Sequence, residues 1–312
     1  MFALRGITVS LNCFVLLYCL GSALVATIWH PLKSLRVAQH SVAAILFVLR
    51  VLPLFASALI TFAFVVPSFR LLEPRSMVEG MDVMPLVLDI GALLLIAYGC
   101  FRVIAAQTRT TQLVSRWLEG ACPLQGHADS TVAFQSRRET PPLTLVGVYN
   151  PRVLVSESTV ALLSQDELRV AFKHELEHKK SHDNLKKLII RFCPFPGMAN
   201  LESAWSQAAE LAADDAAVSN QRDAVDLAAA LVKLSRLAPV EVAPVCSMGF
   251  VAGSLSDRVA RLLAWDEASK ARRLRIRAWY VVPFAVATSL LVSIAYSPVL
   301  ALTHEVTQWL VR

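Results

Sequence analysis

Charge is scarce in this 312-residue sequence, where Asp, Glu, Lys and Arg make up 17% against roughly 25% in an average soluble domain. With 55% hydrophobic residues, a purely soluble protein is excluded. Cysteine is sparse as well. Of the six, Cys13, Cys19 and Cys100 lie in apolar stretches, and Cys122, Cys193 and Cys246 are scattered without any Cys-x-x-Cys spacing. That excludes a disulfide framework and a thiolate zinc site. Internal repeats and low-complexity segments are absent, so a repeat architecture is excluded too. The first apolar run, 6–29, is long for the core of a cleavable signal peptide and leads straight into Trp29-His30-Pro31, so a retained helix is expected there.

What is present is a set of long apolar runs. Residues 6–29 and 279–303 contain no Asp, Glu, Lys or Arg, while 42–66 holds Arg50 and 86–106 holds Asp89 and Arg102. Each exceeds the ~20 residues that a helix needs to cross hydrocarbon. The pattern predicts a three-helix transmembrane region over 1–106, a polar domain over 107–278, and a fourth transmembrane helix with a short tail over 279–312.

Lys33 and Arg36 lie after the first span with no acid, whereas the loop after the second has Arg70 and Arg75 against Glu73, Glu79 and Asp82. The first loop is therefore expected inside, the polar domain in the cytoplasm, and both termini outside the inner (plasma) membrane. Lys270, Arg272, Arg273, Arg275 and Arg277, just before the last span, agree with this orientation. The net charge of +6 is read as topology signal and as an anchor to membrane lipid, with no direct nucleic-acid binding expected. Arg50 and Asp89 differ in depth too much to pair directly. Snorkelling or a buried polar contact is expected of Arg50, not a signalling role.

In the polar middle, β-branched residues over 143–155 with a break at Tyr149-Asn150-Pro151 predict two short strands. Ser164 with Glu167 forms a capping-box signature, and the stretch from Gln165 to about Asp183 has no Gly or Pro to interrupt a helix. Residues 201–218 and 222–237 read as two more helices and Leu255–Leu263 as a short one, with Pro239, Pro244 and Gly253 marking a loop.

On the Ser164-capped helix stands His174-Glu175-Leu176-Glu177-His178. Residues four apart share a helix face, so both imidazoles can address one zinc ion, with Glu175 beside its open coordination position as general base. A catalytic zinc takes a third protein ligand, and Glu210 on a later helix is the candidate. Asp214, four residues on, can accept from the distal nitrogen of a ligating histidine. His182 and Asp183 are expected to serve structure, Asp183 as a cap or as partner to a neighbouring lysine.

The run Phe172 to Asp183, preceded by Asn150-Pro151-Arg152-Val153-Leu154-Val155 and followed by Glu210-Leu-Ala-Ala-Asp214, resembles the BlaR/MecR-type membrane metallopeptidases, with HtpX and the CAAX prenyl proteases as distant relatives. The resemblance covers about residues 140–265. It implies an inserted α+β zincin-like (gluzincin) domain between the third and fourth helices of an α-helical membrane protein. It also implies Zn2+ on His174, His178 and Glu210, with Glu175 as base and the 151–155 segment pairing with substrate backbone. Arg152, Val153, Leu154 and Val155 are thus expected to form an edge strand. Some related peptidases place a histidine after the glutamate ligand. The later histidine here is His304, at the outer end of the last span, and Arg258 is the substitute expected to meet oxyanion or substrate. Receptors of the family carry a penicillin-binding domain after the fourth span, and a short form without it is expected here.

The function expected from these features is proteolysis of a cytoplasmic protein, a BlaI-type winged-helix repressor being the family's class of target, within transmembrane signalling. An HtpX-like quality-control protease and a non-catalytic transducer or scaffold are the alternatives, and the intact Glu175 argues against the last.

Overall fold

The computed structural model describes residues 2–31, 37–74, 83–124, 133–136, 140–237, 255–266 and 296–307. Among the described residues, three helical segments are long and apolar enough to cross a membrane: Phe2–Ile28, Gln39–Leu72 and Val83–Leu118. They comprise α1 (Phe2–Ile28), α2 (Gln39–Ile60) continuing through a π-helical turn (Thr61–Val65) into α3 (Val66–Leu72), and α4 (Val83–Leu118). Large apolar side chains such as Leu20, Leu59, Phe62, Leu94 and Phe101 are exposed on these helices, as befits surfaces that face lipid. The chain is a membrane protein. Of the expected fourth span only 296–303 falls among the described residues, within a helix over 296–307. Its Tyr296 hydroxyl donates to the Ala63 carbonyl, 3.0 Å away in the π-helical turn. The Lys33/Arg36 loop, the 239–253 loop, Cys246 and the basic 270–277 run lie outside the described residues.

The second half is mostly helical around one small sheet. Four strands, β1 (Cys122–Pro123), β2 (Ala133–Ser136), β3 (Leu143–Val146) and β4 (Arg152–Ser156), lie in the order β1-β2-β4-β3. β2 runs parallel to β4 and β3 antiparallel to it, with Leu145 opposite Val153. Gly147, at φ +94 with Asn150 O 3.1 Å from where its Cβ would stand, makes the tight exit from β3 toward β4. Val153 and Val155 pack with Leu168, Ala171 and Phe172, while Leu154, on the opposite face, packs with Trp117 and Val146. That alternation explains why α4 runs to Leu118, well past its apolar stretch: its end covers the second face of the sheet. The domain boundary expected at 106–107 therefore falls inside a continuous helix.

Helices α5 (Glu157–Leu162), α6 (Gln165–Lys180), α7 (Asp183–Phe192), α8 (Ala199–Ala217), α9 (Gln221–Leu237) and α10 (Leu255–Leu263) follow. Ser164 and Glu167 make both bonds of the capping box on α6. The helix expected to run on to Asp183 stops at Lys180, because His182 adopts the left-handed conformation at φ 55 and turns the chain into α7. The middle segment is also not a body apart from the bundle. α7 descends along α4, where Gly99 lets the chain pass so closely that a Cβ would lie 2.5 Å from the Phe192 carbonyl oxygen. α8 climbs back along α2, and Leu201, Ala204, Trp205 and Ala208 pack with Val42, Ala43 and Leu46. The α7–α8 hairpin is thus inserted among the membrane helices.

Candidate metal centre

Two helices bring the cluster together. α6 presents His174 and His178 one turn apart, and α8 crosses it with Glu210 and Asp214 one turn apart, all four buried. The Nε2 atoms of the two histidines are 3.2 Å apart. Glu210 Oε2 is 3.5 Å from His174 Nε2 and Oε1 is 3.7 Å from His178 Nε2. Two ligand atoms about 2.1 Å from one zinc ion at the tetrahedral angle would be about 3.4 Å apart. The three side chains are therefore at the separation a single tetrahedral cation requires, and they are the one such group found among the described residues.

The far nitrogens of both rings face carboxylates. His174 Nδ1 is 3.0 Å from Asp214 Oδ1, and His178 Nδ1 is 2.8 Å from Asp183 Oδ2. Such partners turn the Nε2 lone pairs toward the common point. The role of Asp183 was not legible as such: it stands five positions after His178, off the helical i, i+4 register, and reaches back only because of the left-handed turn at His182. It also accepts from Lys186 at 3.1 Å, the lysine pairing its sequence suggested.

Arg258 is buried on the other side. Its Nε and Nη2 donate to the two oxygens of Asp214 at 2.8 and 2.7 Å, and its Nη1 donates to Glu210 Oε2 at 2.8 Å. Three of its N–H groups are committed to carboxylates, so the guanidinium orients Glu210 and Asp214.

The carboxylates of the cluster are held ionised by their neighbours. Burial pushes the carboxyls of Glu210, Asp214 and Asp183 upward, but His174 and Arg258 beside the first two, and His178 and Lys186 beside the third, hold all three below their ordinary values. Burial opposes protonation of His174, yet Asp214 and Glu210 push its imidazole up to about 9. Two imidazole nitrogens and one carboxylate converge on one point, with Asp214 and Asp183 behind the rings, the donor set of a divalent cation such as zinc. A dication fits these residues.

Glu175 is buried beside the histidines, and burial raises its carboxyl above the usual range. Its Oε2 accepts the Leu145 N–H of β3 at 2.9 Å. Asn184 Nδ2 donates to Leu145 O at 3.2 Å and Gly147 O at 2.9 Å. This second clamp was also missed, since nothing local distinguishes Asn184 from a solvated helix residue. These bonds identify the sheet edge that passes over the cluster as β3. β4 is flanked by β2 and β3, so Arg152–Val155 is not the expected edge strand. Val153, Leu154 and Val155 are core residues, and Arg152 lies over the Phe134 ring.

No curated protein matches the chain. Residues 81–262, from the start of the third membrane helix through α10, match the family described as BlaR1 peptidase M56. That span includes the whole histidine and carboxylate cluster and more than half of the sequence, and the chain belongs to this family of membrane metallopeptidases.

Proposed function

We propose that the chain is a zinc endopeptidase with a gluzincin-like domain, its active site facing the cytoplasm and its target a cytoplasmic regulatory protein. His174, His178 and Glu210 hold the metal. The observation that carries the reading is their spacing of 3.2, 3.5 and 3.7 Å with both distal ring nitrogens on carboxylates. Zinc held there would polarise the scissile carbonyl and lower the pKa of a bound water to about 7. Glu175 is the base. With Oε2 fixed by the Leu145 N–H, Oε1 takes the proton from the attacking water and returns it to the leaving amine.

A target bound at the cluster through its extended backbone favours a flexible linker over a folded core. The resemblance to BlaR/MecR-type peptidases supports a small winged-helix repressor as the target, and the charge asymmetry of the loops supports the orientation. One observation favours an HtpX-like quality-control role instead: the α7–α8 hairpin that carries Glu210 packs against α2 and α4, two of the apolar helices.

Glu175→Gln separates these readings from a binding module. It should keep zinc and lose proteolysis, because it removes the base without touching a ligand. In cells, a cytoplasmic regulator should be shortened only with the wild-type protein. Retained cleavage in the variant overturns Glu175 as base. Accumulation of misfolded membrane proteins with no shortened regulator transfers the assignment to quality control.

A further inference from the structure

Arg50 stands eleven residues inside α2, about 16 Å along the helix, and is 1% exposed. It does not snorkel. Nη2 donates to the carbonyl of Cys193, which caps the C-terminus of α7, and to Glu202 Oε1 at 2.8 Å, and Nε donates to the same oxygen at 2.9 Å. Glu202 is in the first turn of α8, where the N-cap residue Met198 makes no side-chain capping bond. One guanidinium therefore joins the end of α7 to the beginning of α8. From α1, the Tyr18 hydroxyl donates to the Pro194 carbonyl at 2.8 Å, and its ring meets Phe195 edge-on at 6.0 Å. The tip of the hairpin is held by polar groups of two membrane helices.

Both arms of that hairpin end at the metal cluster. α7 begins with Asp183, the partner of His178, and lies about 15 Å along the helix from Cys193. Glu210 is eight residues beyond Glu202, about 12 Å along α8. Between tip and cluster, α8 meets α2 through apolar and small side chains, with Trp205 against Phe47 and with Ala204 and Ala208 near Ala43 and Leu46. Such a face resists separation, but it constrains sliding along the axis less than does a charged pair in which two N–H groups of one guanidinium grip the same carboxylate oxygen. A metal site tolerates only about 0.5 Å of displacement.

We infer that Arg50 is a positioning residue for the metal site, fixing through the α7–α8 hairpin where Glu210 and Asp183 stand relative to His174 and His178. The inference rests on the metal-site reading above. It makes metal retention depend on an ion pair within the membrane bundle, and it carries any axial shift of α2 to a ligand.

The test measures zinc affinity of the full chain in lipid nanodiscs by competition with a chromophoric chelator, with thermal unfolding of the metal-free protein in parallel. Arg50→Gln and Glu202→Gln should each bind zinc about tenfold more weakly. The double variant should be no weaker than Arg50→Gln alone, because the two changes remove one pair. Arg50→Lys should recover part of the loss. Should Arg50→Gln fail to fold, Glu202→Gln, which leaves the Cys193 bond in place, carries the test by itself. Affinity within twofold of wild type in the folded single variants, while Glu210→Ala loses zinc, overturns the inference and leaves the metal site standing. A wild-type protein without zinc, or Glu210→Ala binding as wild type does, overturns the metal-site reading and this inference with it.

Discussion

Asp183 Oδ2 lies 2.8 Å from Nδ1 of His178 across a left-handed turn at His182, so the break between two helices supplies what an unbroken helix would have pointed elsewhere. Asp183→Ala should lower zinc affinity by about 10–100-fold. Asp183→Asn, which keeps an acceptor but not the charge, should fall between that variant and wild type. Chelator competition reads both, and unchanged affinity in Asp183→Ala would show that the contact does not serve the metal.

Arg258→Ala would leave Glu210 and Asp214 buried beside His174 without their guanidinium. The expected cost is about 3–5 kcal/mol in the metal-free protein. Arg258→Lys should recover little, since an ammonium cannot straddle two carboxylates as the planar fork does. Thermal unfolding decides it, and a midpoint for Arg258→Ala equal to wild type would remove Arg258 from the account.

Gly99 and Gly91 lie on the same helix and give opposite predictions. A Cβ at Gly99 would meet the Phe192 carbonyl oxygen at 2.5 Å, whereas one at Gly91 would have nothing within 4 Å. Gly99→Ala should destabilise by about 1–3 kcal/mol, while Gly91→Ala should be neutral or stabilising by about 0.5–1 kcal/mol. Equal behaviour of the two in thermal unfolding would contradict the close α4–α7 crossing.

Stability should fall in acid through Glu167 and Asp223. Burial raises the carboxyl of Glu167, but Lys233 and the Ser164 N–H hold it below its ordinary 4.5. Burial likewise opposes Asp223, yet Arg169 and the Ser219 N–H hold it below 3.8. Each group takes up its proton more readily unfolded than folded. Its contribution is therefore complete above those ordinary values and is lost as pH falls through the lowered folded ones. Glu167→Gln and Asp223→Asn should reduce stability at neutral pH and flatten its decline in acid. An unchanged pH slope in both variants would exclude these pairs as its source.

The sequence disclosed what depends on short spacing. Three spans, the capped helix with its two histidines, the α8 pair Glu210 and Asp214, and the strands at 143–155 are all written within a few residues of one another. The rest depends on contacts that no local pattern encodes. β4 looks like an edge until β2, a four-residue strand without a clear alternation, pairs with it on the other side. The stop at Lys180 needs no Gly or Pro, only a histidine in an uncommon backbone region. Arg50 finds its partner 152 positions away, so its apolar surroundings suggested only that it must avoid lipid.

Insertion of the α7–α8 hairpin also bears on the order in which the protein is made. α1 and α2 emerge first and form the cradle, and the hairpin arrives later to occupy it. Among the described residues, its Leu201, Ala204, Trp205 and Ala208 face is covered by side chains of α1 and α2. A chain that fails to enter the membrane, or a fragment starting at 107, has that face bare and lacks the support for Glu210. Assembly of the cluster is thus expected to wait on insertion of the helices that hold the hairpin.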